Sequence, residues 1–206
     1  MSNTLTTLTD IFYLISHAIL IPVMLGLIFG LVVALLLLGC MLREWIDRLS
    51  FQNERKKLTM QFNTLVPDTL SVSKNGGVFA DALNLLYSQT SDSLFISKIV
   101  ADAEIYWQER LEKIQTWIRT GPALGLMGTL IPLGPGLIAL ADGDLKTLSA
   151  NLIIAFATTV VGILIALICG GVHSIRKRWY RADSVLLTYV AERLAEQLVK
   201  GEKSGC

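Results

Sequence analysis

Three threonine hydroxyls, Thr129, Thr158 and Thr159, stand in long stretches of the chain that carry no charge. A threonine hydroxyl can both donate and accept a hydrogen bond. A row of them can hold a file of water or, with backbone carbonyls, help to coordinate a small cation. The same hydroxyls can instead bond back to their own helix or pack at an interface of small residues, and the sequence leaves both roles open. No Asp, Glu, Lys or Arg occurs from Ile11 to Leu42, from Thr120 to Ala141 or from Thr147 to Ser174. An ionisable group inside a membrane is the usual mark of a proton or ion relay. A titrating carboxylate would therefore have to come from another chain. Three prolines accompany the hydroxyls. Pro122 suits a helix start, where its missing N–H costs nothing. Pro132 and Pro135, beside Gly134 and Gly136, each delete a ladder bond, which predicts a kinked or unwound segment. In lipid the freed carbonyls need protein or cavity water, so the break hints at a face that lines a pore or meets a partner.

The elements that must position these residues follow from hydropathy. The chain of 206 residues is 52% hydrophobic and 17% charged, against about 25% charged in an ordinary soluble chain. That excludes a disordered chain and argues against a cytosolic enzyme. A net charge of +1 argues against nucleic acid as the main partner. Each uncharged stretch is long enough for a membrane-spanning helix of roughly 20 residues. The flank of the first, MSNTLTTLTD, lacks the basic residues of a cleavable signal, so the stretch is expected to stay as a first span. Arg43, Arg48, Arg55, Lys56 and Lys57 follow that span, and Arg176, Lys177, Arg178 and Arg181 follow the last; Lys146 alone lies in the loop between the second and third. Basic flanks favour the cytoplasm.

The expected fold is thus an all-α integral membrane protein with three transmembrane helices, N-terminus out and C-terminus in, whose long helices extend into a cytoplasmic helical domain. Residues 1–10 are extracytoplasmic, 11–42 the first span and 43–119 a cytoplasmic helical insert. Residues 120–141 are the second span, 142–147 an outer loop, 148–173 the third span and 174–206 a cytoplasmic helix and tail. Trp45, Trp117 and Trp179 lie just beyond the inferred inner ends, as an interfacial aromatic belt requires.

Periodicity extends these helices. Leu42, Trp45, Ile46, Leu49 and Phe51 continue a partial apolar stripe past the first span until Pro67 and SVSKNGG break it. Val78 to Tyr87 predicts a short helix. A longer one starts near Ser91 or Asp92, with Ile96, Ile99, Val100, Ala103, Tyr106, Trp107, Leu111, Ile114 and Ile118 on its apolar positions. In the tail Val185, Leu186, Tyr189, Val190, Leu194 and Leu198 form a stripe between charges such as Asp183. Such stripes usually mean helices packing on one another. Gly26 and Gly30 give a GxxxG spacing in the first span.

Little else suggests chemistry. Cys40 and Cys169 read as buried small hydrophobes, and Cys206 ends the chain. His17 and His173 read as interfacial polar residues near opposite faces. No phosphate-cradling glycine loop, GxSxG elbow or HExxH helix occurs, so no catalytic residue, metal or cofactor is expected.

The run RLEKIQTWIRTGPALGLMGTLIPL resembles the approach to the second span of the MotA/TolQ/ExbB proton-channel family, where a basic amphipathic helix leads into an "APxLGLLGTV"-like segment. AFATTVVGILIALICG resembles that family's "ALxxTAxGLxxAIP" segment. The resemblance implies a stator-type motor subunit that forms a ring, typically a pentamer, around two copies of a small ExbD/TolR-like partner. That partner has a single transmembrane helix with an essential Asp, and ions flowing at the interface drive mechanical work. It implies the cell (inner) membrane, and an ion-pathway role for Thr129, matching the family's Thr in LGT. It implies the same for Thr159, three residues before Gly162, with Thr158 as an extra neighbour. Pro122 matches the family's proline at the inner end of the second span.

Energiser-type members often carry a Glu five residues before the third-span Thr; here that position is Ile154. That change and the double-proline LGPGL segment depart from the pattern of the iron-uptake energiser and envelope-stability subtypes, while the shorter insert and three spans rather than four set the chain apart from flagellar stators. Either H⁺ or Na⁺ fits the hydroxyls. The alternative function is a non-conducting membrane scaffold or transporter accessory that uses its cytoplasmic helices to bind a soluble partner. A membrane-embedded enzyme is disfavoured because no nucleophile–base pair or metal cluster is present.

Overall fold

The computed structural model describes residues 2–64, 77–88 and 93–204, with side chains given from 14 to 49 (save 16, 17 and 47), 78 to 86 and 95 to 196. Four helices follow in order: α1 (Ser2–Thr64), α2 (Gly77–Ser88), α3 (Ser93–Ala141) and α4 (Leu145–Ser204). Among the described residues there is no strand. Three helices are long and apolar enough to cross a membrane: Ala18–Ile46 of α1, Phe95–Ala141 of α3 and Leu145–Glu196 of α4. The protein is an all-α membrane protein. The expected break at Pro67 and the expected helix start at Ser91 or Asp92 lie outside the described residues, as does the side chain of His17.

The chain forms two compact units. Unit 1 comprises Met1–Leu38 and Lys113–Val172; unit 2 comprises Gly39–Glu112 and His173–Cys206.

In unit 1 glycines line the contact between α3 and α4; Leu27, Ile114 and Ile165 are buried as well, and many other large side chains face outward. Gly30, Gly121, Gly125, Gly128 and Gly162 are buried, whereas Leu126, Leu130, Phe156, Val160 and Leu167 are exposed. Where lipid replaces water, association rests on close backbone packing rather than on the hydrophobic effect, so glycines at the helix contacts are expected.

A tight hairpin joins α3 to α4 within this unit. Gly143 adopts the left-handed φ of 77°. Its N–H donates to the Leu140 carbonyl at 3.1 Å, and the Asp144 N–H donates to the Ala139 carbonyl at 2.8 Å. This is the paired closure of a glycine-terminated helix. Asp144 then caps α4: one carboxylate oxygen accepts the N–H groups of Lys146 and Thr147, each at 3.1 Å. Those bonds hold the exposed Asp144 carboxyl below the usual carboxylate range, the Thr147 hydroxyl contributing most.

Of the two outcomes expected at the prolines, a kink or an unwound segment, the unwound one is absent. α3 runs as one helix through Pro122, Pro132 and Pro135 and is not unwound. Each proline removes only one N–H, so the carbonyls of Ile118, Gly128 and Ile131 lose their ordinary helical donor while the rest of the ladder survives. Full unwinding would strand several more polar groups in an apolar setting, a larger cost. Pro132 is buried, Pro135 half-buried and Pro122 exposed.

Unit 2 is a helical cluster with an apolar core. Phe79, Leu83 and Leu86 of α2 meet Ile96, Ala103 and Trp107 of α3 and Tyr180, Leu187, Val190 and Leu194 of α4. The α3 stripe packs as its periodicity predicts, except that Tyr106 is exposed. The stripe expected on α1 stays largely exposed at Leu42, Trp45, Ile46 and Leu49, although the Trp45 ring meets Trp179 edge-on; the side chain of Phe51 lies outside the described residues. The inward side lies one step round, at Met41, Glu44 and Arg48, because Glu44 and Arg48 have ionic partners on α4. Val185 on α4 is likewise exposed.

Candidate ion pathway on the second and third spans

The antiparallel register of α3 and α4 in unit 1 can be read from their glycines. A Cβ built on Gly121 would lie 2.9 Å from the Gly162 carbonyl oxygen. One on Gly125 would lie 3.3 Å from the Gly162 Cα and 3.4 Å from the Thr159 Cα. One on Gly128 would lie 2.7 Å from both the Cβ and Oγ1 of Thr158, and one on Gly136 would meet Leu148 and Asn151. The seam therefore runs Gly121, Gly125, Gly128, Pro132 on α3 against Gly162, Thr158, Ala155 on α4, at the three-and-four spacing of a helical stripe.

The three threonines take different places on this seam. Thr158 faces straight into it and is buried at 6% exposure. Thr159, one residue on, turns to a flank and lies half-buried against Gly125. Thr129 is one helical turn on from Gly125 and also half-buried. At 100° per residue in two antiparallel helices, Thr129 and Thr159 fall on the same flank of the pair. α1 covers the opposite flank: Gly26 packs on Leu124, Gly30 packs on Trp117 and Ile165, and Phe29 meets Trp117 at 5.8 Å between centroids.

All three hydroxyls donate to their own helix. Thr129 Oγ1 donates to the Leu126 carbonyl at 2.7 Å. Thr158 and Thr159 both donate to the Ala155 carbonyl, at 2.8 and 3.3 Å. This is the helix-bonded role that the sequence left open. It spends the hydroxyl proton and leaves the oxygen lone pairs to accept a bond from water or a hydrated cation. The carbonyl that Pro132 frees belongs to Gly128, on the seam one residue before Thr129; the one that Pro135 frees belongs to Ile131, which falls about 200° round α3 from Thr129, on the other flank. Ile154 is half-buried and offers no polar atom. Among the described residues no group of three His, Cys, Asp or Glu could hold a metal ion.

Sequence reasoning missed one polar constellation altogether. In unit 2, Arg48 Nη2 donates to Asp183 Oδ2 at 2.7 Å and Nη1 to Oδ1 at 3.4 Å. Arg48 Nε lies 3.4 Å from Glu44 Oε1, and Glu44 Oε2 lies 3.3 Å from Arg176 Nε. Burial alone would push the Arg48 guanidinium down, but the hydrogen bonds and charge of Asp183, with Glu44 beside it, hold it above its usual value. A signal was available. Arg176, Tyr180, Asp183, Leu187, Val190 and Leu194 are spaced by threes and fours, so both charges occupy core positions of the α4 stripe.

Residues 76–187, more than half of the chain, match the profile of the MotA/TolQ/ExbB proton channel family. No curated protein and no solved structure matches the chain.

Proposed function

Because the chain belongs to the MotA/TolQ/ExbB proton channel family, we propose that it is the ring-forming ion-channel subunit of an inner-membrane motor complex. Copies of it, five in the ring, surround a single-span ExbD/TolR-like partner and couple the ion motive force to mechanical work. The N-terminus faces out and the cytoplasmic helical parts face in, which places every Lys and Arg except Lys146 on the inner side.

The observation that carries this reading is the shared flank of Thr129 and Thr159. Two hydroxyls, with the Gly128 carbonyl freed by Pro132 one residue before Thr129, stand on the side of the α3–α4 hairpin that α1 leaves uncovered. No described residue within the uncharged stretches can titrate as a carboxylate, so the proton-carrying acid belongs to the partner's helix, and this chain supplies the polar track beside it. Thr158 supports the track from behind by filling the space above Gly128.

The test is ion-driven dissipation of a proton gradient in vesicles holding the chain and its co-expressed partner. The Thr129→Val, Thr159→Val double variant is expected to abolish conduction while the complex still assembles. Conduction equal to wild type would remove Thr129 and Thr159 from the path. Replacing the gradient with Na⁺ tells which ion is carried.

A further inference from the structure

Asp183 is 2% exposed and Arg176 is 6% exposed, both on α4 positions that otherwise hold apolar side chains. Together with α1 they form an alternating chain of charge: Asp183, Arg48, Glu44, Arg176. Two acids balance two bases. The Arg48 guanidinium also lies 4.9 Å above the Trp179 ring, which meets Trp45 edge-on at 6.2 Å. Such a cluster is a poor source of stability. Desolvation consumes most of the attraction between buried charges, and a well-packed apolar replacement is often as stable or more so. What it supplies is selection among packings.

An alternative packing is at hand. Leu42, Ile46 and Leu49 form an exposed apolar stripe on α1, one step round from Met41, Glu44 and Arg48. Rolling α1 would bury that stripe against α4, and apolar contacts alone would favour it. The roll would separate Asp183 from Arg48 and Arg176 from Glu44, and breaking a buried ion pair is strongly destabilising.

We propose that Asp183, Arg48, Glu44 and Arg176 are positioning residues forming a register lock, which holds α1 in one rotational and axial setting against α4 so that both move as one piece during ion-driven work. The clause about work rests on the channel function proposed above; the lock itself does not.

The experiment uses the full chain with its partner, in a background with Cys40, Cys169 and Cys206 changed to Ala. Spin labels are placed on Arg43→Cys and Arg178→Cys, two exposed sites, and labelled chain is diluted with unlabelled chain so that one labelled copy is present per assembly. With native Arg48 and Asp183, one narrow α1–α4 distance is expected. The Arg48→Leu, Asp183→Leu pair should melt no lower than its parent, yet give a broad or split distance distribution and lose ion-driven work. Arg48→Lys, which keeps the charge, should restore a single distance. The neutral Arg48→Gln, Asp183→Asn pair is read in the same way should the leucine pair fail to fold. A single unchanged distance in the folded leucine or glutamine–asparagine pair would overturn the lock. If distances split as expected while even the wild-type complex moves no ions, the lock stands and the channel function falls.

Discussion

Gly162 packs so closely on Gly125 that a methyl group on it would lie 2.9 Å from the Gly125 Cα and 2.6 Å from the Gly121 carbonyl oxygen. Both obstacles are backbone and cannot rotate away. Gly162→Ala should therefore force the α3–α4 hairpin apart, at about 1–3 kcal/mol of stability. Gly170→Ala and Gly171→Ala meet nothing within 4 Å. They should leave stability unchanged or raise it by up to about 1 kcal/mol through better helix propensity. Thermal melts of the purified protein in detergent separate the two outcomes, and equal melting of all three would show that the seam tolerates a wider spacing.

Thr158 and Thr159 are adjacent in sequence but should respond differently to valine. Valine keeps the shape of threonine and removes the hydroxyl. Thr158 is buried above Gly128 and bonded to Ala155, so Thr158→Val should cost about 1 kcal/mol or less and leave ion conduction intact. Thr159 lies on the uncovered flank, and Thr159→Val should reduce conduction with little change in melting temperature. Proton flux and thermal stability are measured on the same vesicle preparations. A loss of flux in the Thr158 variant alone would exchange the two roles.

The fold was largely legible because lipid imposes a coarse code. Three uncharged stretches, their basic flanks and the period of Ile96, Ile99, Ala103 and Trp107 are properties of single helices, and the sequence states them directly. What it did not state was which of two adjacent stripes on one helix would turn inward. On α1 the apolar positions Leu42, Ile46 and Leu49 lost to Glu44 and Arg48. Charges 135 residues apart, Arg48 and Asp183, decide that choice. Such a pair is invisible to any reading that scores helices one at a time. The prolines left two outcomes open, a kink or an unwound segment, and α3 continues through them because in an apolar setting the surviving hydrogen bonds outweigh the few that proline removes. At the candidate pathway, residue type pointed to Thr129, Thr158 and Thr159 alike; only the interhelical register separates Thr158 from the other two.

The α4 cap gives a pH dependence. Hydrogen bonds from Thr147 and Lys146 to Asp144 lower its folded pKa below the unfolded value. The cap's contribution is therefore fully present above the unfolded pKa of roughly 3.9, and is lost as pH falls through the lower folded value. Amide hydrogen exchange at Lys146 and Thr147 should stay slow from neutral pH down to about 4 and then, after correction for intrinsic rates, lose protection at lower pH. In Asp144→Asn, which still caps but does not titrate, protection should be independent of pH over that range. A pH-dependent loss that persists in the Asn variant would place the titrating group elsewhere.

Pro132 offers the clearest opposition of stability and function. It is buried on the seam, and its missing N–H leaves the Gly128 carbonyl without a helical donor. Pro132→Ala deletes two ring methylenes, a loss of about 1.6 kcal/mol at about 0.8 kcal/mol each. It also restores the N–H and removes a proline penalty of about 3 kcal/mol in a helix interior. The hydrogen-bond gain wins, so the variant should melt higher than wild type. The same change occupies a carbonyl beside Thr129 that the proposed track leaves open, so ion flux should fall even as stability rises. Flux and melting temperature that both rise would show that the freed carbonyl takes no part in conduction. A lower melting temperature would show that the proline ring contributes more to the seam than the missing bond costs.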